Sequence, residues 1–197
     1  MASVKEVFIF YREYVKPLYC EIEARNNSLP VELLFEIHAA FDHLKRFFVE
    51  GEDCELSCKK AISHLKRGSL DAFKLKLKYY NADIERLQAS KVDLELLDNG
   101  QFWPKLIADK CRIIELAKKA RLSEGHTDPE QAFELWAEVS LKIDTFYESY
   151  LSRQESIEWA KKKTFSWLNK DTWRGIGIGI ATGCLSSYLI WWATLPA

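Results

Sequence analysis

Gly175-Ile176-Gly177-Ile178-Gly179-Ile180-Ala181-Thr182-Gly183 opens a run that reaches Ala197 without one charged side chain. As a helix, residues 175–197 would rise about 35 Å, close to the ~30 Å hydrocarbon core of a bilayer. Gly175, Gly179 and Gly183 recur every fourth residue and share one helical stripe, with Gly177 as a further small residue. In lipid, helices associate by packing rather than by expelling water, and small residues four apart let their backbones approach. The run therefore reads as a C-terminal transmembrane helix built to touch copies of itself. Everything before it reads as the body that this helix anchors.

The flanks carry the same message. Lys161, Lys162, Lys163, Lys170 and Arg174 precede the run, and no charge follows it. Lysine and arginine beside a membrane helix stay on the cytoplasmic side, which places the body in the cytoplasm with the C-terminus across the membrane. Trp167 and Trp173 at the near end, and Trp191 and Trp192 at the far end, suit the two interfacial belts. The opening Met-Ala-Ser-Val-Lys-Glu has no uninterrupted apolar core and is not a signal peptide.

The remaining length holds one domain of ordinary size, residues 1–168, followed by a juxtamembrane and membrane segment, residues 169–197. With 29% charged and 48% hydrophobic residues, the chain has a globular composition rather than a disordered one. Cysteines at 20, 54, 58, 111 and 184 make an odd number, read as reduced thiols. Cys54 and Cys58 are not followed by a second pair at zinc spacing, so neither a metal nor another cofactor is implied.

Helical periodicity runs through the body. Val4 to Arg25 carries Val7, Tyr11, Tyr14, Val15, Leu18 and Ile22 on one stripe, with a kink expected at Pro17. Asn26-Asn27-Ser28 turns into a second helix opened by Pro30 and stopped near Gly51. A third, capped by Asp53, reaches about Gln88, with a bend or close contact expected at Gly68. A connection over Leu94 to Pro104 leads to a fourth helix ending near Leu122. Asp128-Pro129-Glu130-Gln131 opens a fifth that runs past Leu151 through Ile157 and Trp159, with a break expected near Asn169 to Asp171. No strand alternation appears. The expected fold is all-α: an antiparallel bundle of four to five helices plus one C-terminal transmembrane helix.

The second and third helices hold the most suggestive polar residues: Glu36, His38, Asp42, His43, then His64 and Arg67. His38 and Asp42 share a face, whereas His38 and His43, five apart, lie roughly 140° from each other. They are poorly placed to hold one metal. Lys59, Lys60, Lys66, Arg67, Lys74, Lys76 and Lys78 make the third helix basic; spread around it, they read first as a solvated face and second as an RNA or lipid contact.

The run Glu36-Ile37-His38-Ala39-Ala40-Phe41-Asp42-His43-Leu44, followed by Ala61-Ile62-Ser63-His64-Leu65-Lys66-Arg67, resembles HEPN-type helical domains. That resemblance implies a bacterial antiviral setting and, for ribonuclease members, an arginine and a histidine separated by four residues on a helix facing its partner across a dimer. His43 matches the histidine, but His38 stands at the arginine position and Ala39 at the polar position after it. A guanidinium that grips phosphate bidentately is thus replaced by an imidazole that is mostly neutral near pH 7. A HEPN-like scaffold without the family's RNA chemistry follows.

These readings converge on a self-associating effector anchored in the inner membrane, whose tails form a pore or disrupt the bilayer in antiviral defence. Its expected partners are copies of itself and the bilayer, with a further defence protein as an alternative partner. Two other readings stay open: a membrane-tethered HEPN-like ribonuclease using His43 with His38 or His64, contacting RNA, and a non-enzymatic tail-anchored adaptor.

Overall fold

A computed structural model describes residues 2–124 and 129–193, with side chains at 26, 129, 166–172, 189 and 191–193 left aside. Its elements are α1 (Val4–Phe10), α2 (Lys16–Asn26), α3 (Val31–Glu50), α4 (Cys54–Ala89), α5 (Phe102–Ser123), α6 (Pro129–Phe146) and α7 (Gln154–Ala193). Among the described residues there is no strand, and the all-α expectation holds.

Local chemistry sets the boundaries. Ser3 Oγ accepts from the Glu6 N–H while Glu6 Oε2 accepts from the Ser3 N–H, a reciprocal cap on α1. Asn27 ends α2 in the left-handed region at φ 49°, and Gly51 ends α3 at φ 76°. Asp53 caps α4 by accepting from the Leu56 N–H at 2.8 Å. The Asp128 cap expected for α6, with Gly125, lies outside the described residues.

α4 is the axis of the bundle. Its 36 residues span roughly 54 Å, and α1, α2, α3 and α6 all pack against it. The three-residue link Gly51-Glu52-Asp53 makes α3 and α4 an antiparallel hairpin, the most extensive helix pair among the described residues; α5 and α6 form a second. The core runs through Val15, Ile22, Leu33, Tyr80, Ile84, Phe102, Leu106, Trp136, Val139 and Ile143. Fully burying one such side chain contributes about 1.5–3 kcal/mol.

Polar ties cross this core. The Lys76 ammonium, 2% exposed, donates to Glu21 Oε2 at 2.7 Å and Asp144 Oδ1 at 2.5 Å, joining α2, α4 and α6. Arg25 pairs with Asp83 and sits 4.2 Å over the Tyr147 ring, while the Tyr147 hydroxyl donates to Asp83 at 2.6 Å. Burial pushes the Tyr80 hydroxyl above its ordinary range, and that hydroxyl has no hydrogen-bond partner among the described residues.

The helices differ from the sequence expectation in three places. The irregularity near Pro17 is a π-helical turn at Tyr11–Val15, where the missing proline N–H is accommodated one turn upstream. The fifth helix does not run on through Ile157; a second π turn, Tyr147–Leu151, precedes a break at Ser152-Arg153 and a fresh start at Gln154. Nor does the chain break near residues 169–171, because α7 is continuous from Gln154 to Ala193. Asn169, Lys170 and Asp171 lower helix propensity only slightly, and neither glycine nor proline interrupts them. The N-terminal turns of α7 dock on the body through buried Ile157 and Ala160, and Thr164 Oγ1 accepts from the Asp93 N–H at 3.0 Å.

Candidate functional site

The α3–α4 hairpin brings His43 and His64 together and leaves His38 out. The His43 and His64 rings stack with centroids 5.1 Å apart and planes 28° from parallel. His38 is exposed on another face of α3, as its five-residue offset from His43 requires. Of the three candidate histidines, His43 and His64 are the two whose rings are in contact.

A carboxylate organises the pair. His64 Nδ1 donates to Glu36 Oε2 at 2.6 Å, and the Arg67 guanidinium lies 3.5 Å from Glu36 Oε1. With a carboxylate oxygen facing it, Nδ1 is assigned as the donor of this bond, which Nε2 does not share. The close helix approach that makes this possible occurs at Gly68. A Cβ there would lie 2.9 Å from both Glu36 Cβ and Leu33 Cδ1. Gly68→Ala should therefore push the helices apart and lower stability by about 1–3 kcal/mol in denaturant unfolding. The His64 ring resonances should shift with it. Unchanged stability and unchanged ring shifts would refute the tight contact.

Further along the hairpin, Glu52 accepts from Ser57 Oγ at 2.9 Å and from Lys60 Nζ at 3.1 Å, and Arg46 donates to Asp42 at 2.8 Å. His43 faces these charges with its Nδ1 buried and without a hydrogen-bond partner among the described residues. Burial, reinforced by His64, Arg46 and Lys60, holds its pKa below the ordinary 6.5, against a smaller opposing pull from Glu52. The unfolded chain then binds more protons than the native one as pH falls below 6.5, so stability declines on acidification through that window. His43→Gln should flatten the decline between about pH 7 and pH 5. An unaltered slope in urea midpoints across that range would exclude His43 as its source.

Most of the cations of α4 are neutralised from within. Lys59 pairs with Glu55, Lys60 with Glu52, Lys66 with Glu130, Lys74 with Glu124 and Lys76 with Glu21 and Asp144. Such pairing leaves little net positive field for a phosphate backbone. Cys54 and Cys58 sulfurs sit 4.0 Å apart, and burial pushes the Cys58 thiol up to about 11, keeping it protonated. Among the described residues no group of three His, Cys, Asp or Glu side chains is placed to hold a metal.

The second locus is the tail. Ile176, Ile178, Ile180, Leu185, Tyr188 and Ile190 are all exposed, and Cβ atoms added at Gly175, Gly177, Gly179 or Gly183 would meet nothing within 4 Å. Thr182 Oγ1 donates to Ile178 O and Ser186 Oγ to Thr182 O, both at 2.8 Å, so these hydroxyls are satisfied inside their own helix. Lys161, Lys162, Lys163, Trp173 and Arg174 are exposed before it. The side chains of Lys170, Trp191 and Trp192 lie outside the described residues. Among those described, no helix is long and apolar enough to cross a membrane; glycine, serine and threonine dilute the isoleucines of the tail.

Sequence reasoning passed over the partners that organise both regions. Glu36 and His64 are 28 residues apart, and no local pattern announces their pairing. The same holds for Lys76, whose acids lie 55 and 68 residues away. No family model matches the chain, and neither a curated protein nor a solved structure does.

Proposed function

We propose that this chain is a self-associating membrane effector: its helical body collects copies in the cytoplasm, and its C-terminal helices gather in the inner membrane and open it. The observation that carries this reading is the end of α7. From Trp173 to Ile190 its described side chains are exposed on every side, with no charge after Arg174. A helix that exposes apolar side chains on every side and carries no charge calls for cover by lipid or by other helices, and the described body of this chain does not supply it. Three features support lipid: hydroxyls returned to the helix's own carbonyls, basic and aromatic residues before the run, and open glycines free to meet a neighbouring helix. The antiviral setting rests on the HEPN resemblance alone.

The test compares the full chain with a version ending at residue 170, expressed in bacteria under a potential-sensitive dye. Depolarisation is expected with the full chain only. Unchanged polarisation in both would sink the pore and leave an anchor.

The Glu36-oriented His64 beside His43 favours one second reading, a tethered ribonuclease in which His64 Nε2 and His43 exchange protons with a ribose hydroxyl and a leaving oxygen. RNA cleavage lost in His43→Ala and in His64→Ala, but kept in His38→Ala, would be its signature. Intact RNA across pH 5 to 9 would remove it.

A further inference from the structure

α3 carries apolar side chains on two faces, and only one of these faces is used inside the body; the outer one also bears His38 and Lys45. Leu33, Ala40 and Leu44 are buried against the bundle, while Leu34, Phe41 and Phe48, seven residues apart, form an outer stripe. Val31, Phe35 and Val49 widen it; Phe35 is 71% exposed and Val49 74%. Phe8 of α1, itself half exposed, lines a small groove with Phe41 and continues the patch across the helix boundary. A helix of a monomer normally gives its outer face to charge.

We infer that this stripe is where a second copy of the chain docks, α3 against α3 in antiparallel sense about Phe41. The inference rests on the self-association of the proposed function and assigns the surface that performs it.

Size is the first argument. At about 200 Å² for each phenylalanine side chain, the exposed fractions of Phe8, Phe35, Phe41 and Phe48 alone come to on the order of 500 Å². That already matches the largest patch of an ordinary monomer, and the valines and Leu34 bring it near the ~800 Å² per partner of a stable interface. Symmetry is the second. A two-fold axis through Phe41 sets Phe41 on its own copy and Leu34 on the partner's Phe48, so one surface is its own complement and the assembly closes. Antiparallel pairing also opposes the two helix dipoles.

Charge is the third. The cations along the stripe are neutralised on their own helix: Lys45 Nζ lies 2.7 Å from Glu50, and Arg46 lies 2.8 Å from Asp42. Two copies therefore meet without like charges facing each other. The orientation differs from the dimer that the HEPN resemblance implies. His43 is two residues from Phe41, roughly 160° around the helix, and looks toward α4 rather than toward the partner.

The test is disulfide trapping in the full-length chain, reconstituted in vesicles, with native cysteines replaced by alanine and helicity checked by circular dichroism. Phe41→Cys alone should form dimers on oxidation. Leu34→Cys or Phe48→Cys alone should not, but a mixture of the two should. Adding Phe35→Asp to Phe41→Cys should cut the trapped dimer about tenfold or more, as loss of an interface anchor does. A control version keeps Cys184 as its sole thiol and reports contact between tails. Tail dimers without a Phe41→Cys dimer would overturn the α3 interface while leaving self-association standing. Dimers at neither position would overturn both. A Phe41→Cys thiol that couples freely to a water-soluble maleimide would mark the stripe as uncovered. Protection from maleimide without trapping would assign it to lipid or another protein; either outcome overturns the inference.

Discussion

Replacing Glu21 and Asp144 together by alanine lowers the unfolding free energy by about 3–5 kcal/mol, because it strands a buried ammonium. Lys76 is 2% exposed, and its two acids are the ion pairs it makes. Glu21 and Asp144 are themselves 35% and 48% exposed, so water entering where they stood moderates the loss toward the lower end of that range. Removing the charge itself is a different perturbation. Lys76→Met keeps most of the side-chain volume and needs no partner, so it should cost less than about 1.5 kcal/mol. Thermal or denaturant unfolding of the detergent-extracted chain, followed by circular dichroism, separates the two. A Lys76→Met loss as large as that of the double variant would mean that the ion pairs, rather than relief of a stranded charge, hold the three helices.

Leu185→Arg should move the chain out of the membrane fraction. On insertion scales arginine at a helix centre costs about 2.5–3.5 kcal/mol, and the leucine it replaces contributes about 0.5. The total of roughly 3–4 kcal/mol is a hundredfold or more in the insertion equilibrium. Leu185 lies near the middle of the uncharged run, so neither end offers its guanidinium an easy route to water. Leu185→Ala should leave partitioning nearly unchanged. Carbonate extraction followed by immunoblotting reads both variants. Retention of Leu185→Arg in the carbonate-resistant pellet would contradict a membrane-embedded tail.

The parts of the fold that could be read in the sequence are those governed by a few neighbouring residues. Ser3 with Glu6, Asn27, Gly51 and Asp53 each mark a helix end through one side chain or one backbone conformation. Gly68 was legible as a close contact because glycine in a helix interior needs a reason. The π turns at Tyr11–Val15 and Tyr147–Leu151 were not legible, since each adds one residue to a helical turn that keeps its stripe. The candidate site was half legible. His43 and His64 stand out by residue type, but their stacking, and the exclusion of His38, depend on how α3 and α4 are rotated against each other.

Short stretches of the chain were enough for an all-helical body, most of its helix ends and a charge-free C-terminal run, because periodicity, caps and the absence of charge are local properties; the separation of α6 from α7 was not among them. Tertiary structure decided which charges are silent. The lysines of α4 look like a basic surface when read in order, but most are paired once Glu21, Glu130 and Asp144 arrive from other helices, Glu52 from the α3–α4 link and Glu124 from the end of α5. It also decided which apolar face of α3 is spare. Leu33 and Leu34 are adjacent and chemically identical, and only packing against α4 buries one and leaves the other exposed. Burial is a relation between distant segments, so no window of the chain carries it.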